Sequence, residues 1–325
     1  MAMAPCATID AMLRFIVVRL IQCPLILAVI YMLTFLLVWI VPGSPFEGHD
    51  DRKVDPIVLE QLKRQFHADS WYQFLAYYPP QILLHGNFGP SMNYKGWPVN
   101  DILKGALKVS VALGLMALAI AMLVGTGIGV LAAVRRGGFF DWASLAVALV
   151  GISLPGFVAA GLLLVVFCDH LHWLPSGGWD HGWAHLRQLI LPSVALSLMP
   201  LAYIARLTRV AMLDVLGNDY VRTARSKGLS RQRVIWRHCF RNAFLPVFTY
   251  LGPAAAATLT GSFVVEKIFQ IPGMGQHFVN SVLNRDQPMI LGAVMVYSTF
   301  LLVLNLAVDV GYCLIDPRIE LTASK

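Results

Sequence analysis

Charged side chains are scarce in this sequence of 325 residues: 13% are Asp, Glu, Lys or Arg, against 57% hydrophobic. That balance excludes an ordinary soluble globular protein. Cysteine is equally uninformative as a scaffold. Cys6, Cys23, Cys168, Cys239 and Cys313 are scattered, form no CxxC pair, and give no reason to expect a disulfide or a cysteine metal site. No GxxxxGK[ST] loop is present, so the chain is not expected to hold ATP in that manner. HExxH and GxSxG are missing too, which removes the easiest intramembrane protease and hydrolase readings. Finally, the first apolar run, 15–41, is too long for the core of a signal peptide and no small-residue cleavage site follows it. It is expected to remain as a span.

What the sequence does have is long apolar runs. A hydrocarbon core of about 30 Å needs roughly 20 apolar helical residues, and six runs qualify: about 15–41, 106–134, 142–168, 189–212, 244–265 and 288–312. The expected fold is therefore an all-α integral membrane protein with six transmembrane helices. Arg14, Arg19, Arg135, Arg136, Arg318 and Lys325 fall on one side of these runs. The positive-inside rule puts that side, with both termini, in the cytoplasm. The organisation expected is a cytoplasmic N-terminus (1–14), a first span (15–41), an extracytoplasmic loop subdomain (42–105), a five-helix core (106–312) containing a cytoplasmic loop (213–243), and a cytoplasmic tail (313–325).

The outer segment has its own pattern. Asp55-Pro56 reads as an N-cap followed by a first helical position, with Val58, Leu62 and Phe66 recurring every fourth residue. Glu60 precedes Lys63 and Arg64 by three and four residues, a helix-stabilising spacing. The aromatics Trp71, Tyr72, Phe74, Tyr77 and Tyr78 suit a water–lipid boundary, so a small outer-face helical subdomain is expected on the membrane. Within the spans, Gly125 and Gly129 superficially resemble a nucleotide loop, but no strand precedes them. Close helix packing is the simpler reading. Pro155-Gly156 and Pro253 are places where spans can bend.

The strongest signal lies in 206–241. Nine Lys/Arg against two acids, Asp214 and Asp219, give this segment a balance of +7, equal to that of the whole chain. Asn218 or Asp219 can cap a helix starting near Tyr220, Gly228 is a left-handed stop, and Ser230 can cap a second helix running to Pro246. Tyr220, Val221, Ala224 and Leu229 form a modest apolar surface among the arginines. A topology loop touching anionic lipid would need neither the glycine turn nor the caps. A DNA-binding helix-turn-helix would need a third helix or a core of its own, and spans adjoin both ends instead. No nucleic-acid partner is expected. A helix docking into a groove of a soluble partner is the reading favoured.

The run DYVRTARSKGLS (219–230), with NAFLP (242–246), resembles the EAA loop of ABC-importer permeases in its peptide-transporter form. In it, Arg222, Thr223 and Ala224 occupy the EAA positions and Gly228 the fixed glycine; the usual leading acid is absent. WIVPGSP (39–45), FGPSMNYKGWPVND (88–101), HWLPSGGW (172–179) and ILPSVALSL (190–198) agree, as do YLGPA (250–254), GSFVVEKIFQIPGMGQHFVN (261–280), LNRDQP (283–288) and DPRI (316–319). From about Arg14 to Ile319 the chain is similar to the inner-membrane permeases of the peptide/nickel family, closest to the B-type subunit of bacterial oligopeptide importers.

That resemblance implies a half-channel in a bacterial inner membrane. It would pair with a homologous C-type permease, be driven by two cytoplasmic ATP-binding subunits, and receive oligopeptides from an extracytoplasmic binding protein. Dipeptide, nickel and glutathione permeases are alternatives within the family. ATP hydrolysis would belong to the partners, and the chain needs no cofactor. The implied coupling residues are Tyr220, Arg222, Thr223, Ala224, Lys227, Gly228 and Leu229, transmitting motion into spans four and five.

Several residues keep two readings. Arg206 and Arg209 are either snorkelling anchors or part of the coupling path. Glu266, at the outer end of span five, is either a pathway carboxylate or an interfacial charge, with Lys267 beside it neutralising it or pointing away. Asp309, four residues after Asn305, is either a pathway acid or a helix-pairing group. His170, His172, His181 and His185 have a spacing open to metal, but without a cysteine or carboxylate partner they read as interface residues, and no metal site is expected. Outside this class, an ion-coupled secondary transporter would be expected to show inverted repeats and midplane carboxylates. No convincing repeat is present, and a non-transport scaffold or receptor ranks third.

Overall fold

The computed structural model describes residues 9–40, 56–67, 69–94, 96–179, 183–259 and 263–315, with the side chains of most of them. Among these the chain is helical, and its one β-bridge joins Pro90 to Pro98. The helices are α1 (Ile9–Ile40), α2 (Pro56–Gln65), α3 (Trp71–His85), α4 (Val99–Val134), α5 (Phe139–Ser153), α6 (Gly156–Leu164), α7 (Trp183–Leu216), α8 (Asp219–Ser226), α9 (Arg231–Arg233), α10 (Arg241–Leu259), α11 (Phe263–Ile268), α12 (Met274–Leu283) and α13 (Gln287–Ile315). A π-helical turn, Val165–His170, extends α6, and another, Val234–Phe240, joins α9 to α10.

Among the described residues, four helical stretches are long and apolar enough to cross a membrane: Val17–Ile40, Val99–Val134, Leu186–Leu216 and Gln287–Ala307. The third expected run is not one straight helix. It divides at Leu154-Pro155, and its halves, Phe139–Ser153 and Gly156–His170, meet at 107°. The cause is local, because Pro155 has no N–H to give the Gly151 carbonyl. Conversely, the helix expected to stop at Pro246 runs on through Pro246 and Pro253 to Leu259. Proline is tolerated inside apolar membrane helices where neighbours re-satisfy the freed groups. The remaining apolar run is described as α10 and α11, which flank residues 260–262, themselves outside the described set.

The chain falls into two compact units, one drawn from Met1–Val109, Pro272–Leu306 and Cys313–Lys325, the other from Ser110–Ile271 and Ala307–Tyr312. In the first, Tyr31 and Phe35 of α1 pack with Phe74 and Tyr78 of α3 and with Leu291 of α13. The aromatic stretch is thus shared: Phe74 and Tyr78 are buried while Trp71 and Tyr72 are exposed. Glu60 and Arg64 pair on α2 at 2.6 Å on an exposed face. The fully buried Asp286 accepts bonds from the Ser91 hydroxyl, from Asn93 N–H (3.1 Å) and from Met289 N–H (3.2 Å), capping α13 and pinning the loop 91–94. Next to that loop, His277 meets the Tyr94 ring edge-on, and burial lowers its imidazole pKa.

The second unit is built on α7, which packs against α5, α6, α10 and α11. Small residues set the closest approach. A Cβ on Gly125 would lie 2.8 Å from Leu201 O, and one on Gly129 would lie 2.5 Å from Ala205 O and 2.6 Å from Thr208. Packing, not phosphate binding, explains these glycines.

Candidate coupling site

α8 follows α7 after a two-residue turn, and its eight residues divide cleanly. Val221 and Ala224, three apart and hence on one face, are buried against Met212, Val234, Cys239 and Ala243, with Val130 and Ala133 of α4 in the same cluster. Tyr220, Arg222, Thr223, Arg225, Lys227 and Gly228 are exposed. Of the apolar residues expected to form a docking surface, Val221 and Ala224 therefore anchor α8 to its own chain, with Leu229 partly buried beside them. The charged and polar face is the one offered outward.

The turn after α8 is a Schellman motif. Gly228 N–H donates to Arg225 O at 2.9 Å and Leu229 N–H to Ala224 O at 3.4 Å. Gly228 sits at φ +77°, the left-handed conformation this motif requires at that position. Asn218 and Ser230 occupy the two N-cap positions, but neither side chain makes a capping bond. Instead, Thr223 and Ser226 hydroxyls bond back to the carbonyls of Asp219 and Arg222. Two longer ties fix the loop to the spans. Asn242 Nδ2 donates to Tyr220 Oη at 2.9 Å, and Arg231 donates to the Val134 carbonyl at the end of α4 at 3.1 Å. A cation there also complements the helix dipole.

Arg209 is not a free snorkelling anchor. Its Nε and Nη2 donate to the two carboxylate oxygens of Asp141 at 2.5 and 3.0 Å, a bidentate geometry peculiar to arginine. Asp141 also accepts Gly137 N–H at 2.9 Å, so one buried carboxylate locks the turn before α5 to the last third of α7. Sequence reasoning passed over Asp141. The available signal was an acid just after Gly137-Gly138 on the same expected side of the membrane as Arg209. Arg206 is exposed.

Glu266 and Lys267 point apart: Glu266 is fully buried and Lys267 exposed. Ser110 donates to Glu266 Oε1 at 2.8 Å, joining α11 to α4. The neighbouring loop is seated equally closely. Gly178 N–H bonds Phe269 O at 3.0 Å, and a Cβ on Gly177 would fall 1.8 Å from that same oxygen. The side chain of Asp309 lies outside the described residues, as do those of His181 and His185. His170 and His172 are exposed, and no group of metal-ligating side chains gathers among the described residues.

A basic helix, pinned between two spans of an all-helical membrane protein, is the arrangement against which known proteins can be compared. The family model for the inner membrane component of binding-protein-dependent transport systems matches residues 125–321. The chain belongs to this family. It is 42% identical over 310 residues to the dipeptide transport system permease protein DppB of Bacillus subtilis, covering 95% of this chain and 99% of that one. It is 41% identical over 311 residues to the oligopeptide transport system permease protein OppB of Salmonella typhimurium, covering 95% and 100%. Among solved structures, an inward-facing MetNI methionine ABC transporter matches with a TM-score of 0.53 at 14% identity, over 67% of this chain and 97% of that one. This last match carries the shared helical fold.

Proposed function

We propose that this inner membrane component is the permease subunit of an ATP-driven ABC importer, forming half of a peptide translocation pathway with a homologous C-type permease. Two ATP-binding subunits dock from the cytoplasm, where both termini lie, and an extracytoplasmic binding protein delivers the peptide. The observation that carries the reading is α8: its apolar face is committed to its own chain, and its rigid connection to α7 and α10 makes it a lever with a charged outer surface. Tyr220, Arg222, Thr223 and Lys227 meet the ATPase, while Ala224, Gly228 and Leu229 hold the lever's shape. Peptide cargo is supported by the similarity to DppB and OppB, and both dipeptides and oligopeptides fit it. ATP is hydrolysed by the partners.

Glu266 serves the pathway only when α11 parts from α4, since its carboxylate is covered here. Asp309 remains a second pathway candidate.

The test is Gly228→Val in the assembled complex in proteoliposomes. A Cβ at Gly228 meets no atom within 4 Å, so the change acts through the backbone alone, at about 1–2 kcal/mol for the left-handed conformation. ATP hydrolysis is expected to persist while peptide uptake falls tenfold or more. Parental uptake by this variant rejects α8 as the coupling lever.

A further inference from the structure

The corner between α5 and α6 borders a half-open cavity of about 420 Å³, lined by 151–156, by α7 between Ala195 and Pro200, and by Thr258 and Val265. That volume falls within the roughly 300–1,000 Å³ range of ligand pockets. The corner cannot lie against lipid. α5 has 15 residues, which at about 1.5 Å each reach only partway across a core of about 30 Å, so the break falls at membrane depth. There Pro155 offers nothing to Gly151 O, and both Val158 and Ala159 turn their N–H groups to Pro155 O. Among the described residues, the carbonyls of Gly151, Ile152 and Ser153 and the N–H groups of Gly156 and Phe157 are left without a helix bond. In hydrocarbon each released group costs several kcal/mol, so irregular backbone survives there only against protein or a water-filled path.

Around these polar groups the cavity is apolar. Buried Gly151, Ala195, Pro200 and Val265 form its floor, and Ile152 and Met199 stand exposed at its mouth. The combination of backbone donors and acceptors with an apolar wall and a flexible thioether matches the chemistry of a peptide, without selecting one side chain. We infer that this cavity is a transit pocket for the imported peptide. It holds one apolar side chain beside Met199 while the corner's released backbone groups bond the peptide's own amides. This inference rests on the peptide-import reading.

Two variants test it in the assembled complex. A Cβ at Gly156 meets no atom within 4 Å, and the same holds for Gly161, one and a half turns further along α6. Gly156→Leu therefore adds an apolar side chain at the cavity wall with room for its Cβ, and Gly161→Leu is its matched control. Expected with Gly156→Leu is at least a tenfold loss of uptake of Phe- or Leu-containing tripeptides relative to trialanine, with Gly161→Leu unchanged. Equal uptake of all peptides by both variants, or an equal loss in both, overturns the pocket. Independently, the Ser153→Cys variant should react with a charged, water-borne thiol reagent well above the background of the native cysteines, and excess tri-leucine should slow that reaction at least threefold. Failure of the introduced thiol to react, or to be protected by peptide in a complex importing peptide, also overturns it. A parent complex that imports no peptide rejects the import reading and with it the pocket's cargo, whereas the reagent still reports whether the corner is wet.

Discussion

α8 and α11 are short helices of similar standing, each carrying charge at the edge of an apolar bundle, and they turn that charge in opposite directions. α8 buries Val221 and Ala224 and sends Arg222, Arg225 and Lys227 outward. α11 buries Glu266 and sends Lys267 outward. Neighbouring side chains on a helix point about 100° apart, so Glu266 and Lys267 cannot both face one way. The one that turns in meets a partner far along the chain, the Ser110 hydroxyl. α8 buries no charged residue, and ordinary amphipathicity arranges it. On the coupling role proposed for α8, a helix read by another protein keeps its charge outside, whereas α11 places a charge inside.

The sharpest way to break the contrast is to charge the inner face of α8. Val221→Asp places a carboxylate in the apolar cluster of Met212, Val234 and Cys239. Burying an unpaired charge costs on the order of 4 kcal/mol, enough to release α8 from its seat. Limited proteolysis should then cut the 219–230 segment, and coupled transport should be lost. Arg222→Ala on the outward face should leave proteolysis unchanged and weaken ATPase association alone. If both variants behaved alike, the division of α8 into an anchoring face and a reading face would fail.

Asp141 and Arg209 offer a third arrangement, in which a buried carboxylate and a partly buried guanidinium satisfy each other. Asp141→Ala leaves the guanidinium without its carboxylate, at a cost of roughly 3–5 kcal/mol, and also frees Gly137 N–H. The thermal midpoint of the purified complex should drop sharply. Asp141→Ala combined with Arg209→Leu should recover most of it, since removing both charges removes the unpaired one. A double variant as weak as the single would mean the pair matters for more than its own neutrality.

How far these arrangements could be read in advance depended on the range of the interactions. The Gly228 turn and the closely packed Gly125 and Gly129 were legible because each obeys a local rule: a left-handed stop, or a small residue where helices touch. Pro155 was legible as a bend but not as a 107° corner, because its angle depends on how α6 packs on α7. The missing side-chain caps at Asn218 and Ser230 show the converse, a local rule left unused where the first N–H groups of an exposed helix have water available. Asp141–Arg209, Ser110–Glu266 and Ser91–Asp286 join residues 68, 156 and 195 positions apart. No periodicity connects such partners, so polar groups inside the bundle were the part of the site hardest to foresee.

The smallest effects bear most closely on why α11 turns its acid inward. Ser110→Ala removes a donor from Glu266 but leaves the carboxylate its remaining surroundings, and a single hydrogen bond of this kind contributes about 0.5–1.5 kcal/mol net, more toward a charged acceptor. Lys267→Ala, at an exposed position, should change stability by no more than about 0.5 kcal/mol. If the serine selects the buried residue, the loss from Ser110→Ala should largely vanish in a Glu266→Leu background, giving a coupling energy comparable to the single-variant effect. Thermal unfolding of the four complexes measures it. A coupling near zero would mean that packing of Val265 and Phe269 turns α11, and that Ser110 merely meets the carboxylate once it has arrived.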